Sequence, residues 1–319
     1  MSSKKKNRGR HAKAPTQIPL RGWGDIARRV FKRLDTDNIS ILSAGVAFYA
    51  MLAVFPALGA VVSLYALIAD PSDVQAHFQQ LSTFMPGDVS GIINDQLSSL
   101  ASKETGGAGL GAIFGILIGI WSAHRGVDAL VRAVTIAYKE TEDRNFIKLN
   151  ALTYVMTFGA VLLVVSAIAL MVGVPAVIAF LSFPNWMTAL GGVLGWLLFI
   201  SIAVFAISTL YRYGPPRTPA KWRWVSAGAV AATILWMIGS MLFSFYVSQF
   251  AQYNETYGTL SAIVVLLTWF FVTSFSLVFG AALNAELEHQ TLTDSTAGKP
   301  KPMGERGAEV ADTLGKIPT

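Results

Sequence analysis

The chain alternates between long apolar stretches and short polar ones. Five stretches contain no Lys, Arg, Asp or Glu, namely residues 38–69, 105–124, 149–211, 224–254 and 256–285. About 20 apolar helical residues cross a bilayer core, so each stretch is long enough to span it. The third stretch has room for two helices, and Pro184 with Asn185 supplies a turn between them. The pattern predicts an all-α, polytopic membrane protein with six transmembrane helices and additional amphipathic interfacial helices.

Composition and charge placement add an orientation to this picture. Only 14% of the residues are charged, against about 25% in soluble domains. If the N-terminus is inside, 24 of the 25 Lys and Arg residues fall on the inner side, and only Lys103 falls outside. Because positive residues concentrate in cytoplasmic loops, we predict a multi-pass membrane protein with both termini in the cytoplasm.

The polar residues before the first span divide into two segments. Residues 1–20 are basic and polar, which predicts a disordered cytoplasmic tail. Residues 21–37 predict an amphipathic interfacial helix, with Arg and Lys at 28, 29, 32 and 33 opposite an apolar face of Trp23, Ile26, Ala27, Val30, Phe31 and Leu34. Such a helix is expected to meet anionic phospholipid headgroups, and this interpretation is favoured over nucleic-acid binding.

The remaining chain is assigned to a membrane domain and a second tail. Residues 38–290 form the predicted six-helix transmembrane domain, and residues 291–319 are expected to be a disordered cytoplasmic tail. The outer loop 70–106 has the pattern of two short amphipathic helices. They are expected either to cap a cavity or to cover helix ends, and the sequence favours neither role.

A glycine repeat marks the second predicted span. It lacks both the GxxxxGK[ST] pattern of a phosphate loop and the GxGxxG of a dinucleotide-binding turn. Glycines four residues apart lie on one flank of a helix, where they let a neighbouring helix approach closely. The predicted helix-packing residues are Gly107, Gly111, Gly115 and Gly119. In the first span, Pro56 predicts a kink, interpreted as packing rather than as a moving hinge.

Charged and polar residues at the membrane boundaries are the candidate site. His124, Asp128 and Arg132 are spaced i, i+4, i+8, so they share a helix face next to Arg125. The candidate inner side of a substrate path is completed by Asn284 and Glu286, and the candidate outer side comprises Asn254, Glu255 and Tyr257. Ionisable residues at such positions indicate a substrate path if they face the bundle. The alternative is an interfacial charge cluster that only sets the topology.

Several kinds of chemistry lack the residues they need. The chain contains no cysteine, which excludes disulfides, zinc–thiolate sites and thiol nucleophiles. Its four histidines, at 11, 77, 124 and 289, are scattered, whereas metal-dependent phosphodiester cleavage needs a convergent cluster of carboxylates and histidines. We therefore expect no metal, no cofactor and no enzymatic activity, and ribonuclease activity in particular is disfavoured.

Five segments, in order, resemble the YihY/BrkB family of bacterial inner-membrane proteins. They are AGVAFYAMLAVFPAL (44–58), IWSAHRGVDALVRAVTIAY (120–138), YRYGPPRTPAKWRWVSAGA (211–229), YNETYGTLSAIVVLLTWF (253–270) and GAALNAELEH (280–289). The position before the RG pair, often Ser in the family, is His124 here. The resemblance implies six helices with cytoplasmic termini, an association with virulence, and a link to lipid traffic in the envelope. It also implies that an older ribonuclease BN label was given to members.

Two functions remain after these exclusions. The first is a transporter or lipid translocator in envelope biogenesis or resistance, in which Arg125 and Arg132 meet a lipid phosphate at the cytoplasmic side. The second is a scaffold that recruits an envelope-protein partner without moving a substrate. No nucleotide-binding motif is present, so transport would depend on a gradient or a partner. The glycine flank could equally contact a second copy of the chain, which leaves a homo-oligomer open.

Overall fold

The computed structural model describes residues 8–66, 108–168, 185–249 and 259–317. Its regular structure there is helical: α1 Leu20–Thr36, α2 Ile39–Ala66, α3 Ala108–Ala137, α4 Phe146–Ile168, α5 Asn185–Tyr213, α6 Trp222–Gln249, α7 Thr259–His289 and the short α8 Glu309–Asp312. A 3-10 turn covers Pro15–Gln17, and an isolated antiparallel bridge joins Ala220 to Thr296. The predicted all-α class is confirmed.

The long helices have the length and composition of membrane spans. Four described segments qualify, namely Phe146–Leu163 in α4, Leu190–Tyr213 in α5, Trp222–Ser248 in α6 and Ile263–His289 in α7. A fifth is counted if α1 and the first half of α2, sharply bent between them, form one span. Large apolar side chains of α5, such as Leu194, Trp196 and Phe205, are exposed, as in a helix facing lipid. Ser208 and Tyr211, near the end of the segment, are buried. The protein is polytopic, and the number of six spans stays a prediction.

The turn between α1 and α2 is short. It consists of Asp37, which follows the last residue of α1, and Asn38, which has a positive φ of 50°. Asparagine tolerates this left-handed conformation better than most residues because its short polar side chain bonds locally. Helix α2 then continues through Pro56 without a break in the helix assignment. The predicted kink at Pro56 stays a prediction.

Helix α1 is amphipathic, as predicted for residues 21–37, but its inward face differs from the expected one. Ile26 and Val30 are buried as expected, whereas Phe31 is 64% exposed and Arg33 only 4% exposed. Arg29 and Arg33 were expected on the solvent-facing side, yet both reach the carboxylate of Glu286. The difference arises because a buried carboxylate needs cationic partners, and the long apolar stem of arginine can deliver one.

The first described residues are not a free tail. The guanidinium of Arg10 donates to the carbonyl oxygens of His289, Gln290 and Gly315 at 3.3, 3.4 and 2.7 Å. In return, the Leu292 N–H donates to the Arg10 carbonyl at 2.8 Å. Residues 8–20 therefore differ from the disorder expected for 1–20, because Arg10 satisfies carbonyl groups left open at the end of α7.

The C-terminal segment, residues 291–317, also differs from the expected disordered tail. Ser295, Thr296, Val310 and Ala311 are buried. The carboxylate of Asp312 accepts backbone N–H bonds from residues 304, 306 and 307 at 2.7–3.0 Å, which closes the preceding loop. The segment is polar in composition, but its order comes from hydrogen bonds to carboxylates and carbonyls rather than from an apolar core.

The chain divides into two compact units. One contains Met1–Ser43, Leu130–Gly239 and Thr273–Thr319, and the other contains Ala44–Ala129 and Ser240–Val272. The terminal segments, α1, α4, α5, the first part of α6 and the last part of α7 belong to the first unit. The charged end of α3, from His124 to Asp128, belongs to the second.

Helices α6 and α7 approach each other closely at Gly228 and Gly280. A Cβ added to Gly228 would lie 2.2 Å from the Gly280 carbonyl oxygen, and one added to Gly280 would lie 2.5 Å from the Tyr211 hydroxyl. Only glycine fits at both positions, because real Cβ atoms do not come this close to other atoms. The sequence reasoning placed close helix packing at 107–119 instead and did not single out this pair.

Candidate functional site

Asn284 joins α6 to α7 at the polar end of the membrane domain. The residue is fully buried; its side-chain oxygen accepts the Gly228 N–H at 2.7 Å, and its amide donates to the Val225 carbonyl at 2.8 Å. Both bonds are made possible by the close approach at Gly228 and Gly280. Asn284, predicted as an inner path residue, is thus occupied in a contact between helices.

Glu286, two residues after Asn284, joins α1 to α7. Its carboxylate lies 2.5 Å from Arg29 Nε, 3.5 Å from Arg33 Nη1 and 3.3 Å from His289 Nδ1, and the residue is 2% exposed. Arg33 is held from its other side by the Asp37 carboxylate and the Ala137 carbonyl. A buried carboxylate with this many partners is a structural node, so Glu286, like Asn284, anchors helices to each other.

Glu288 forms a second buried ion pair at the same end of α7. Its carboxylate lies 2.7 Å from Arg217 Nη2, with the two side chains 0% and 1% exposed. Ser295 donates a hydrogen bond to the same carboxylate at 2.5 Å, and the Arg217 guanidinium lies over the Tyr138 ring at 5.1 Å. Burial opposes the charge of Arg217, but Glu288 outweighs it and raises the pKa of the guanidinium. This pair ties the 214–221 loop to α7.

The charged end of α3 combines a buried histidine with an exposed arginine. The helix is unbroken from Ala108 to Ala137, so His124, Asp128 and Arg132 follow one another on successive turns, as predicted. His124 is 4% exposed, whereas Arg125 is exposed and its guanidinium lies 5.3 Å from the centroid of the Trp121 ring. Trp121 is itself 54% exposed. Among the described residues, Arg125 forms no ion pair.

A cleft of about 440 Å³ opens at the end of α5. Arg144, Arg212 and Arg217 line it, together with Asp143 and the proline-rich loop after α5. Two of these arginines have carboxylate partners of their own: Arg217 is paired with Glu288, and Arg144 donates to Glu142 at 2.7 and 2.5 Å. The Arg144 hydrogen bonds lower the pKa of the Glu142 carboxyl below its usual value, so that pair is charged at neutral pH.

Arg212 is the arginine of this cleft without a carboxylate partner among the described residues. Its guanidinium lies over the rings of Trp222 and Tyr213, at 4.9 and 5.3 Å, and donates to the Ala220 carbonyl. Its Nε is buried and has no hydrogen-bond partner in the described part of the chain. No role was predicted from the sequence for the arginines of this region, YRYGPPRTP. Alternation of Arg with Tyr and Trp at a span end was the signal available.

The other predicted positions are partly or wholly outside the described structure. Asn254, Glu255, Tyr257 and Gly107 lie outside the described residues, and so does the whole of the loop 70–106. Gly111 and Gly115 lie in α3, and Gly119 in the same helix is buried. Their role in helix packing stays a prediction.

The apolar helices and the buried polar contacts at their ends define an integral membrane protein with several spans. A sequence profile for the family described as Virulence factor BrkB matches residues 30–304. The chain belongs to this family, as its resemblance to YihY/BrkB proteins predicted. The match covers all the described helices from the second half of α1 to α7.

Individual relatives cover most of the chain. The ribonuclease-like protein YfkH of Bacillus subtilis is 29% identical over 82% of this chain and 94% of its own length. The UPF0761 membrane protein of Cronobacter sakazakii is 24% identical over 84% of this chain and 89% of its own length. The one from Idiomarina loihiensis is 22% identical, with 82% and 90% covered. No solved structure matches this chain.

The name of the Bacillus relative raises the question of nuclease chemistry. In the parts of the chain that the structure describes, no three His, Asp or Glu side chains converge in a way that could hold a metal ion. The buried carboxylates of Glu286 and Glu288 are each paired with an arginine. The described residues therefore give no support to metal-dependent phosphodiester cleavage. Relatives with the UPF0761 name are called membrane proteins.

Proposed function

We propose that this protein is a transporter that moves an anionic phospholipid across the bacterial cytoplasmic membrane, and that α3 presents the contact for its phosphate. The observation that supports this most is Arg125, an exposed arginine without an ion pair among the described residues, at the polar end of an apolar helix. Ionisable groups at such positions are costly, and their presence favours a functional role.

The chemistry of Arg125 suits a lipid headgroup. A guanidinium donates paired hydrogen bonds to phosphate oxygens, and that of Arg125 lies 5.3 Å from the centroid of the exposed Trp121 ring. Tryptophan is a typical residue of the membrane–water interface, where phospholipid phosphates lie. Asp128 and Arg132 follow Arg125 on the same helix, whereas His124 is buried.

The orientation of the protein is part of this proposal. Placing 24 of the 25 Lys and Arg residues on the cytoplasmic side supports cytoplasmic termini and a cytoplasmic position for Arg125. Lipid would then be loaded from the inner leaflet. The basic side of α1, with Arg28 and Lys32 exposed, adds positive charge that attracts anionic headgroups to the same side.

The test measures lipid movement in liposomes that contain the purified protein. A headgroup-labelled phospholipid is quenched from outside, and the loss beyond the outer-leaflet fraction reports translocation. We expect Arg125→Ala to slow this loss at least several-fold and Arg125→Lys to restore part of it, since lysine keeps the charge but not the planar fork. Arg223→Ala is the matched control, because Arg223 is also exposed near a helix end.

Two results would contradict the proposal. Equal rates for Arg125→Ala and Arg223→Ala would remove Arg125 from the path. A rate with protein no higher than with empty liposomes would remove transport itself.

A scaffold is the second candidate, and one observation favours it. The two ends of the chain are folded together, with Arg10 bonded to carbonyls at residues 289, 290 and 315. Such an ordered layer could present a surface to an envelope-protein partner. A scaffold predicts no translocation in liposomes, together with loss of a co-purifying partner when the 291–317 segment is deleted.

A further inference from the structure

The cleft at the end of α5 is distinct from the α3 residues on which the transport proposal rests. We propose that this cleft binds the phosphate group of a phospholipid and that Arg212 is the residue that contacts it. Binding here requires no transport, so this proposal stands or falls separately from the one made for Arg125.

Arg212 has unused hydrogen-bonding capacity. A guanidinium carries five N–H donors, and within the described chain Arg212 makes one hydrogen bond, from Nη1 to the Ala220 carbonyl. Its Nε is buried without a partner in the same part of the structure. A cationic donor held away from water without an acceptor is unfavourable, and a phosphate oxygen is the acceptor that guanidinium geometry suits best.

The protein holds Arg212 in place by its aromatic neighbours. The guanidinium carbon lies 4.9 Å from the Trp222 ring centroid and 5.3 Å from that of Tyr213. Contacts with ring faces leave the hydrogen-bonding edge of a guanidinium open to a ligand. Arg212 also lies in the last turn of α5, where the helix dipole favours a cation. These contacts fix the side chain without neutralising its charge.

The other two arginines of the cleft shape it rather than compete for the ligand. Arg217 is paired with Glu288 at 2.7 Å, and Arg144 is paired with Glu142 and also donates to the Gly214 carbonyl at 2.8 Å. Among the arginines that line the cleft, the uncompensated charge is that of Arg212. The cleft volume of about 440 Å³ is within the range of small-molecule sites.

The surroundings favour a lipid over a free phosphate ion as the source of this phosphate. Trp222 stacks on Phe205 at 5.6 Å, and Phe205, like Trp196 further along α5, is exposed. An apolar aromatic surface therefore runs from the cleft along the lipid-facing side of α5. Acyl chains can lie on that surface while the phosphate reaches Arg212, an arrangement that a free ion does not need.

Substitution of Asp143 is expected to change ligand binding in the opposite direction from substitution of Arg212. The exposed carboxylate of Asp143 also lines the cleft and forms no ion pair with Arg212 within the described chain. An exposed carboxylate repels an anionic ligand weakly, because water and salt screen it. We therefore expect Asp143→Asn to strengthen phosphate binding a few-fold, in contrast to removal of the Arg212 charge.

The test measures phosphatidylglycerol binding to the purified full-length protein in detergent by native mass spectrometry. Loss of a charged hydrogen bond predicts that Arg212→Gln weakens binding about tenfold or more. The matched control Arg223→Gln should bind like the original protein, because Arg223 is exposed and does not line the cleft. Equal binding by Arg212→Gln and Arg223→Gln would overturn the proposal, as would unchanged or weaker binding by Asp143→Asn.

A second measurement needs no substitution and separates the two phosphate sources. Phenylglyoxal modifies accessible arginines, and peptide mass spectrometry locates the modification. We expect phosphatidylglycerol to protect Arg212 but not Arg223, and inorganic phosphate at the same concentration to protect neither. Protection of Arg212 by inorganic phosphate alone would overturn the lipid assignment. An Arg212 that reacts equally with and without the lipid would overturn the site.

Discussion

Replacing Glu286 by glutamine separates a structural role of this residue from a role in a substrate path. The carboxylate is 2% exposed and lies 2.5 Å from Arg29 and 3.5 Å from Arg33. Glutamine has nearly the same shape, so the change removes the negative charge with little change in packing. It leaves two guanidinium groups near the end of α7 without this carboxylate.

The expected loss of stability depends on the hydrogen-bond partners that Arg29 and Arg33 retain. Arg33 keeps Asp37 at 2.5 Å and the Ala137 carbonyl at 2.6 Å, and Arg29 keeps the Gln290 side chain at 2.8 Å. Breaking a buried ion pair from one side costs 3–5 kcal/mol in general, so these remaining partners place the expected loss at about 3 kcal/mol. For a chain of 319 residues, that loss corresponds to a melting temperature lower by about 4–5 °C.

The assay compares apparent melting temperatures of the detergent-solubilised proteins at one heating rate. Glu305→Gln is the matched control, because Glu305 is exposed and forms no ion pair among the described residues. An Arg29→Gln and Glu286→Gln double variant should lose less than the sum of the two single variants, since the partners act together. Equal melting temperatures for Glu286→Gln and Glu305→Gln would refute the assignment of Glu286 as a structural node.

Three further predictions concern packing, pH and topology. Gly280→Ala should lower the melting temperature, because overpacking costs about 1–3 kcal/mol of stability. Gly126→Ala should not lower it, because the added Cβ would lie 3.7 Å from its nearest neighbour. Equal effects of the two substitutions would contradict the close approach of α6 and α7. Burial opposes the charge of Asp312, but backbone hydrogen bonds outweigh it and lower its pKa below 3.8. Its contribution to stability is therefore present above that value and lost as pH falls below it. Thermal melting between about pH 5 and pH 3 should show a steeper decline for the original protein than for Asp312→Asn, and parallel declines would contradict this. In intact cells, an impermeant thiol reagent should label Lys103→Cys but not Lys299→Cys, and the reverse labelling would contradict cytoplasmic termini.

The spans were the most predictable part of the fold. Absence of charge over 149–211, 224–254 and 256–285 is itself the physical requirement for crossing a bilayer, so the pattern located α4 to α7 directly. The all-α class and the helical conformation of these stretches followed from the same absence of charge. The number of spans could not be settled in the same way, because four or five of the described segments qualify as spans by length and composition.

The polar ends were less predictable, because their order depends on partners far apart in sequence. Arg29 looks like a headgroup-facing residue until Glu286, 257 positions away, is placed beside it. The 291–317 segment has the composition of a disordered tail, yet Ser295 and Asp312 are held by specific hydrogen bonds. Periodicity describes which face a residue occupies on its own helix, and it contains no information on a buried charge elsewhere.

The candidate site, too, has a part that the sequence predicted and a part that it could not predict. The i, i+4, i+8 spacing of His124, Asp128 and Arg132 depends only on α3 being a helix, and it was predictable. That Asn284 bonds Gly228, and that Arg212 lies in a cleft without a carboxylate partner in the described chain, depends on tertiary contacts. Glycine spacing likewise indicated the 107–119 flank, whereas the close approach in the structure lies between Gly228 and Gly280.

The measurement that tests the central claim most directly is phospholipid translocation by the purified protein in liposomes. The account predicts loss of a headgroup-labelled anionic phospholipid from the inner leaflet, faster with protein than without it. It also predicts that Arg125→Ala slows this loss and that Arg223→Ala does not. No acceleration over empty liposomes, or the same rate for both variants, would contradict the account.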